Sequence, residues 1–250
     1  MKNNFYNKSL GNIYSRPYIN SEVTTQILYG DKFIILSKNK NWIKIKTNFD
    51  RYTGYIKNDN FVRSFEPTHK IYILKSKIFR NIKSKFVETK KYLYFSSAIT
   101  SFETKKNFIR FDKKNWIKKK DLRKINHVEN NYIKIFKLFL KTKYLWGGIS
   151  AEGIDCSALI QIFFKYNNKF FPRDTKDQIK FCKKKIHKNF KNGDIIFWKG
   201  HVGLCLNNEK FIHAYGPRKK VLIMPINYAI NLIANTANLE VKKISNIKDY

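Results

Sequence analysis

The sequence predicts an α+β protein, with two small all-β barrels over residues 1–66 and 67–124 followed by a mixed helix-and-strand domain over 125–250. Three observations carry this reading. Short apolar or alternating runs, separated by polar turn residues, fill the first half of the chain, the pattern of small all-β domains. The tetrapeptide NWIK stands at 41–44 and again at 115–118, marking two divergent repeats. Past residue 125 apolar residues fall at helical spacing instead, and a glycine-rich loop runs into an apolar helix. The 250 residues divide into a domain of about 120 and two of about 60, within the usual domain range. Five prolines and ten glycines leave little room for flexible linkers.

The elements follow in order. Between Gly11 and Val62 the strands are KFIILS, NWIKIKT and GYIKNDNFV, and from Thr68 to Leu122 a weaker copy recurs in KIYILKSKIF, KKYLYF, KNFIRF and NWIKKKDL. A helix between Glu129 and Lys141 is expected from Ile133, Phe136 and Leu140 at i, i+3 and i+7. The segment YLWGGISAEGIDCSALIQ, Tyr144 to Gln161, turns from loop to helix at Cys156, with Ala158, Leu159, Ile160, Phe163 and Phe164 as the helix's apolar residues. NGDIIFWKGHVGLCLNNEKFIHAYG then reads as a turn, a strand and a hairpin about Asn207 to Lys210. VLIMPI reads as a buried strand, Ala229 to Thr236 as a short helix and LEVKKI as a last strand.

The chemistry concentrates in this last domain. A thiol at a helix start lies near unpaired backbone N–H groups and the positive end of the helix dipole, both of which favour thiolate. Gly147, Gly148 and Gly153 permit close approach of a substrate chain to Cys156. In the hairpin, alternation places His201, Gly203 and Cys205 on one face of the first strand and Phe211, His213 and Tyr215 on one face of the second, and with the turn at Asn207 to Lys210 in register both histidines point the same way. A thiol nucleophile needs an imidazole to carry its proton and a third group to fix that imidazole's tautomer, and Cys156, His201 and His213 can supply the three roles. A rival set of zinc ligands, Cys156, Cys182, His187, His201, Cys205 and His213, lacks CxxC or HExxH spacing, so no metal and no cofactor is expected. Cys182 and Cys205 read as core or surface thiols.

The ordered motifs YLWGG, GIDCSALIQ, FPRDTKDQ, NGDIIFW, GHVGL and FIHA, from near Ile125 to near Ile226, resemble those of the NlpC-type, papain-like cysteine peptidases of cell-wall peptides. The resemblance implies a papain-like catalytic domain in which Cys156 is the nucleophile, His201 the general base, His213 the orienting residue and Tyr144 the tyrosine that helps stabilise the oxyanion. It places Asp155 and Ser157 against the substrate's amino-terminal end and backbone, and Thr175 where the PRDS motif has serine, as further substrate contacts. Asp155 is also a helix N-cap candidate, and an acid beside the thiol suggests that a substrate cation is met there. Arg173 and Asp174 read as a structural ion pair.

SEVTTQILYGDKF and the WIKIK strand resemble a bacterial SH3-like domain. SH3-like domains ahead of such a peptidase resemble the arrangement of γ-D-glutamyl-L-diamino acid endopeptidases. That arrangement implies an acidic murein peptide with a free amino-terminal L-Ala as substrate, one end of the groove walled off by the barrel, and a role in muropeptide recycling or degradation. GDKF carries Asp31 where relatives have glutamate, which leaves the second amine-binding carboxylate open. Two other classes stay open: an amidase or acyltransferase on the same scaffold, and a non-catalytic wall-peptide binding module.

The formal net charge of +33 would ordinarily point to nucleic acid. Here lysine is spread along the whole chain with Asn, Ile, Phe and Tyr, residues of AT-rich codons, so base composition accounts for much of the bias and no nucleic-acid partner is expected. KFCKKKIHKNFK and DKKNWIKKKDLRK read as solvated faces. No run of 18 apolar residues and no leading apolar segment is present, so no membrane partner is expected and the protein is expected in the cytoplasm with its three thiols reduced. The sequence leaves the oligomeric state open.

Overall fold

The computed structural model describes residues 3–186 and 189–250, which fall into two compact units, Met1–Val128 and Glu129–Tyr250. The first unit is all-β. Strands β1 (Asn3–Phe5), β2 (Leu10–Tyr14), β3 (Val23–Leu28), β4 (Lys32–Asn39), β5 (Trp42–Thr47) and β6 (Thr53–Lys57) form an antiparallel sheet in the order β1-β4-β5-β6-β2-β3. WIKIKT makes a strand because alternation buries Ile43 and Ile45 while Lys44 and Lys46 stay accessible. Those isoleucines join Tyr6, Ile13, Ile27, Phe33 and Ile56 in one core.

The rest of the unit holds β7 (His69–Ile71), β8 (Lys75–Ile82), β9 (Lys85–Tyr94), β10 (Ala98–Ile99), β11 (Glu103–Lys105), β12 (Phe108–Arg110), β13 (Asn115–Lys118) and β14 (Leu122–Lys124). They form a three-stranded sheet, β10-β7-β14, and a five-stranded sheet, β11-β12-β13-β8-β9. Both NWIK segments are strands, β5 and β13, and each buries its isoleucine completely, Ile43 in the first core and Ile117 in a second core with Ile71, Ile78, Leu93, Ile99 and Ile109. Tyr29 joins that second core and its carbonyl accepts from Ala98 N–H, 3.0 Å. Gly30, at φ +82°, is required at this seam because a Cβ would collide with the Ala98 carbonyl.

The second unit is α+β. Helix α1 (Tyr132–Leu138) precedes a short hairpin, β15 (Ile149–Ser150) and β16 (Gly153–Ile154), then α2 (Cys156–Tyr166) and α3 (Thr175–Phe181). A five-stranded antiparallel sheet follows from β17 (Asp194–Trp198), β18 (His201–Cys205), β19 (Lys210–Tyr215), β20 (Lys220–Pro225) and β21 (Lys243–Asn246), in the order β20-β19-β18-β17-β21, with α4 (Ile226–Ala237) inserted before the last strand. Helix α2 is buried from Cys156 through Phe164, which explains why its sequence is apolar on every side.

Three expectations shift. The buried stripe of α1 is Tyr132, Ile135, Phe136 and Phe139, at i, i+3, i+4 and i+7, rather than the expected Ile133, Phe136 and Leu140; Leu140 lies exposed beyond the helix end. Helix α4 starts at Ile226 rather than Ala229. The last strand pairs with β17 only from Lys243, since Leu239 and Val241 instead pack on the apolar cluster under α4.

Candidate active site

The turn before α2 delivers Cys156. Asp155, in extended conformation, caps the helix by accepting from Ala158 N–H at 2.8 Å. Asp155 N–H in turn donates to Gly148 O at 3.2 Å, and Gly148 leaves no room for a Cβ against the Gly153 carbonyl. Gly147 takes φ +73°. The loop from Tyr144 to Asp155 is thereby folded tightly against the helix start.

The sulfur of Cys156, only 4% exposed, meets β18 and the residue just before it. Its S–H donates to the Gly200 carbonyl at 3.9 Å, and the Val202 N–H donates to it. His201 stands between these two residues in the chain. Thr175, at the start of α3, also donates its hydroxyl to the sulfur.

His201 Nε2 lies 2.9 Å from His213 Nδ1. This crossing depends on Gly203, where a Cβ would come within 2.8 Å of His213 Cβ and collide with the Phe211 ring. His213 is fully buried and stacked on Tyr215, with ring centroids 4.8 Å apart and planes at 13°. Because Nε2 of His201 is engaged, Nδ1 is the nitrogen left to receive a proton; it does so only with the hydrogen on Nε2, donated to His213 Nδ1. His213 then carries its own hydrogen on Nε2, which has no partner among the described residues.

Burial is the largest influence on the titration of these groups. It pushes the Cys156 thiol up to about 12, with the Asp155 charge acting the same way against the opposing pull of Val202 N–H, Thr175 and Arg173. It also pushes His201 down to about 4 and His213 down to about 2. Desolvation of a nearly inaccessible sulfur thus opposes the pull of the helix start toward thiolate.

The remaining polar residues form a second cluster behind the nucleophile. Arg173, 3% exposed, makes its buried ion pair with Asp155, whereas the sequence suggested its neighbour Asp174. The pair is bidentate, Nη1 to Oδ1 at 3.0 Å and Nη2 to Oδ2 at 2.6 Å, and Nη1 also donates to Ser157 Oγ at 2.8 Å. Gly147 N–H and Ser157 O–H donate to the same carboxylate. Asp155 and Ser157, expected against the substrate, are thus buried and engaged within the protein. Asp174 starts α3 without capping it through its side chain, and burial raises its pKa.

Tyr144 is half-buried, and its phenol is pushed above its ordinary value by burial first and the nearby Cys156 and Asp155 charges second, so it stands by the thiol as a neutral O–H donor. Of the rival zinc set, Cys205 lies in the apolar cluster with Trp198 and Phe211, Cys182 bonds with Tyr250 and Ser245, and His187 falls outside the described residues. No three His, Cys, Asp or Glu side chains converge as metal ligands among the described residues. The sequence paired Arg173 with Asp174 and missed its buried pairing with Asp155. The signal was available: an aspartate between Ile154 and Cys156, ahead of an apolar helix, needs a cation when buried.

The family model for NlpC/P60 matches residues 141–232, and that for the bacterial SH3 domain matches residues 8–61. The chain is 25% identical to a γ-D-glutamyl-L-lysine dipeptidyl-peptidase of Bacillus subtilis over 83% of this chain and 77% of that one. It is 23% identical to dipeptidyl-peptidase 6 of Lysinibacillus sphaericus over 82% and 84%. A crystal structure of an NlpC/P60 family protein from Bacillus cereus superposes with a TM-score of 0.76 at 20% identity, covering 90% of this chain and 95% of that one, which establishes the fold. Buried thiol, paired histidines and family match together make this chain a cysteine peptidase that carries an NlpC/P60 family domain behind a bacterial SH3 domain.

Proposed function

We propose that this peptidase hydrolyses the bond between γ-D-glutamate and the diamino acid in short wall peptides that begin with a free L-Ala, releasing L-Ala-γ-D-Glu, and that it does so on soluble muropeptides in the cytoplasm during their recycling or degradation. The observation that carries the chemistry is the 2.9 Å bond from His201 Nε2 to His213 Nδ1 behind a thiol held by the residues on either side of His201. Cys156 Sγ attacks the γ-carbonyl carbon while its proton passes to His201 Nδ1, and Tyr144 O–H donates to the developing oxyanion. Collapse of the tetrahedral intermediate breaks the C–N bond, and His201 returns the proton to the leaving amine. Water, deprotonated by His201, then cleaves the thioester. Residues 67–124, with their own NWIK core strand, are read as a second, divergent SH3-like domain.

The names of the relatives support the substrate class, and one partly buried carboxylate supports the free amine. Asp155 has both oxygens occupied by Arg173, Gly147, Ala158 and Ser157, so a substrate ammonium is better met by Asp174, a partly buried carboxylate that no cap uses. Its raised pKa means that it takes a proton, and loses the ammonium, at a higher pH than an exposed aspartate would. The test is mass spectrometry of L-Ala-γ-D-Glu-diaminopimelate, its L-Lys counterpart, their N-acetylated forms and intact peptidoglycan after incubation with the protein. Cleavage of the free tripeptides alone is expected, with the preference for a free amine lost in Asp174→Asn; equal rates on free and acetylated peptides would leave a general wall hydrolase.

A further inference from the structure

The nucleophile lies between two residues, Asp155 and Ser157, that one side chain grips at once. Arg173 reaches Asp155 through both Nη atoms and Ser157 Oγ through Nη1, and it is itself buried. Through Asp155 Oδ2 the same contact fixes Gly147 N–H, in the loop that begins at Tyr144. Two residues after Arg173, Thr175 donates to the sulfur, and Gln178 Nε2 ties the segment to the Ser157 and Pro172 carbonyls at 3.0 and 2.9 Å.

We propose that Arg173 is a positioning residue for the reaction: its planar guanidinium locks the backbone on both sides of Cys156 and couples the Tyr144 loop, the α2 cap and the Thr175 hydroxyl into one rigid frame around the sulfur. The inference rests on Cys156 being the nucleophile and leaves the identity of the peptide open. Lysine can supply the charge at this position but not the two parallel bonds to Asp155 together with the third to Ser157. The geometry, more than the charge, is therefore what the reaction uses.

The experiment compares Arg173→Lys, Arg173→Met, Asp155→Asn and the double variant Asp155→Asn/Arg173→Met. Each is followed by kcat and KM on the tripeptide and by the rate at which iodoacetamide alkylates Cys156, read by peptide mass spectrometry. Arg173→Lys is expected to lose about a hundredfold in kcat, the scale of a misplaced reacting atom, with KM nearly unchanged and alkylation slowed in parallel. The double variant is expected to lose no more than the worse single variant, since the pair acts as a unit. Wild-type kcat in Arg173→Lys, a loss confined to KM, or additive losses in the double variant would each overturn the proposal. Should Arg173→Met fail to fold, the double variant, which leaves no buried charge unpaired, gives the same comparison against Asp155→Asn. An enzyme inactive on wall peptides in which Arg173→Lys still slows alkylation would sink the substrate reading and uphold the positioning; alkylation indifferent to His201→Ala would sink the nucleophile and the positioning with it.

Discussion

Behind Cys156, the Asp155–Arg173 cluster places five hydrogen bonds on one carboxylate, two from Arg173 and one each from Gly147, Ser157 and Ala158. Beside Cys156, the His201–His213 pair shares a single hydrogen bond, is otherwise held by ring packing on Trp198, Phe211 and Tyr215, and leaves His213 Nε2 without a partner among the described residues. Both clusters are desolvated, yet one is saturated and the other is left short. A saturated network fixes atoms that must not move. The histidine pair has to pass a proton back and forth, and burial holds it neutral and ready to accept one. The two sides should therefore fail differently when altered.

The largest effect is expected from Cys156→Ala, which removes the nucleophile and should abolish hydrolysis with the fold unchanged, while Cys182→Ser and Cys205→Ser retain activity; an active Cys156→Ala would move the site elsewhere. Next, His201→Ala should lose about a hundred- to ten-thousand-fold, the worth of general acid and base work. His213→Gln should lose far less, because an amide can still accept from His201 Nε2. A dead His213→Gln beside a live His201→Ala would reverse the two roles.

Stability separates the clusters most directly. Arg173→Met leaves Asp155 buried and unpaired, an effect of about 3–5 kcal/mol. His213→Phe keeps a ring of similar shape on Tyr215 and removes a buried nitrogen without a partner among the described residues, but it also takes the acceptor from His201 Nε2–H, a loss of about 1–3 kcal/mol, so its melting temperature should fall less than that of Arg173→Met. Equal destabilisation by the two substitutions would mean that the histidine side is as tightly bonded as the other.

How much of this was legible in the sequence follows the same divide. The strands alternating about Ile43 and Ile45, the loop-to-helix turn at Cys156 and the shared face of the two histidines were readable, because each depends on local periodicity. The buried face of α1 was not, since Ile133, Phe136 and Leu140 fit a helical stripe as well as Tyr132, Ile135, Phe136 and Phe139 do. The Arg173–Asp155 pair joins residues eighteen apart and could be inferred only from the need to neutralise a buried aspartate. The opposing pull of burial on the thiol was not legible either, because a helix start is visible in sequence whereas the depth of burial around it is not.

The smallest and most diagnostic effect concerns pH. An imidazole at its ordinary value near 6.5 is about nine-tenths protonated at pH 5.5 and would lose most of its capacity as a base. Burial lowers His201 to about 4, so at pH 5.5 it remains almost wholly neutral and the acid limb of kcat/KM should lie near pH 4. The sign for stability agrees: a base whose pKa falls on folding contributes stability above its unfolded value, and that contribution is lost as pH drops from 6.5 through the folded value. Asp174 also titrates on the acid side, its pKa raised by burial, so the profile is measured in the wild type and in Asp174→Asn. The limb that survives in the variant belongs to His201. A surviving limb near 6.5 would mean that water reaches the histidine pair and that the contrast between a saturated and a dry, under-bonded cluster does not hold; a limb near 4 would tie the low bond count at His213 to a base kept neutral by exclusion of water.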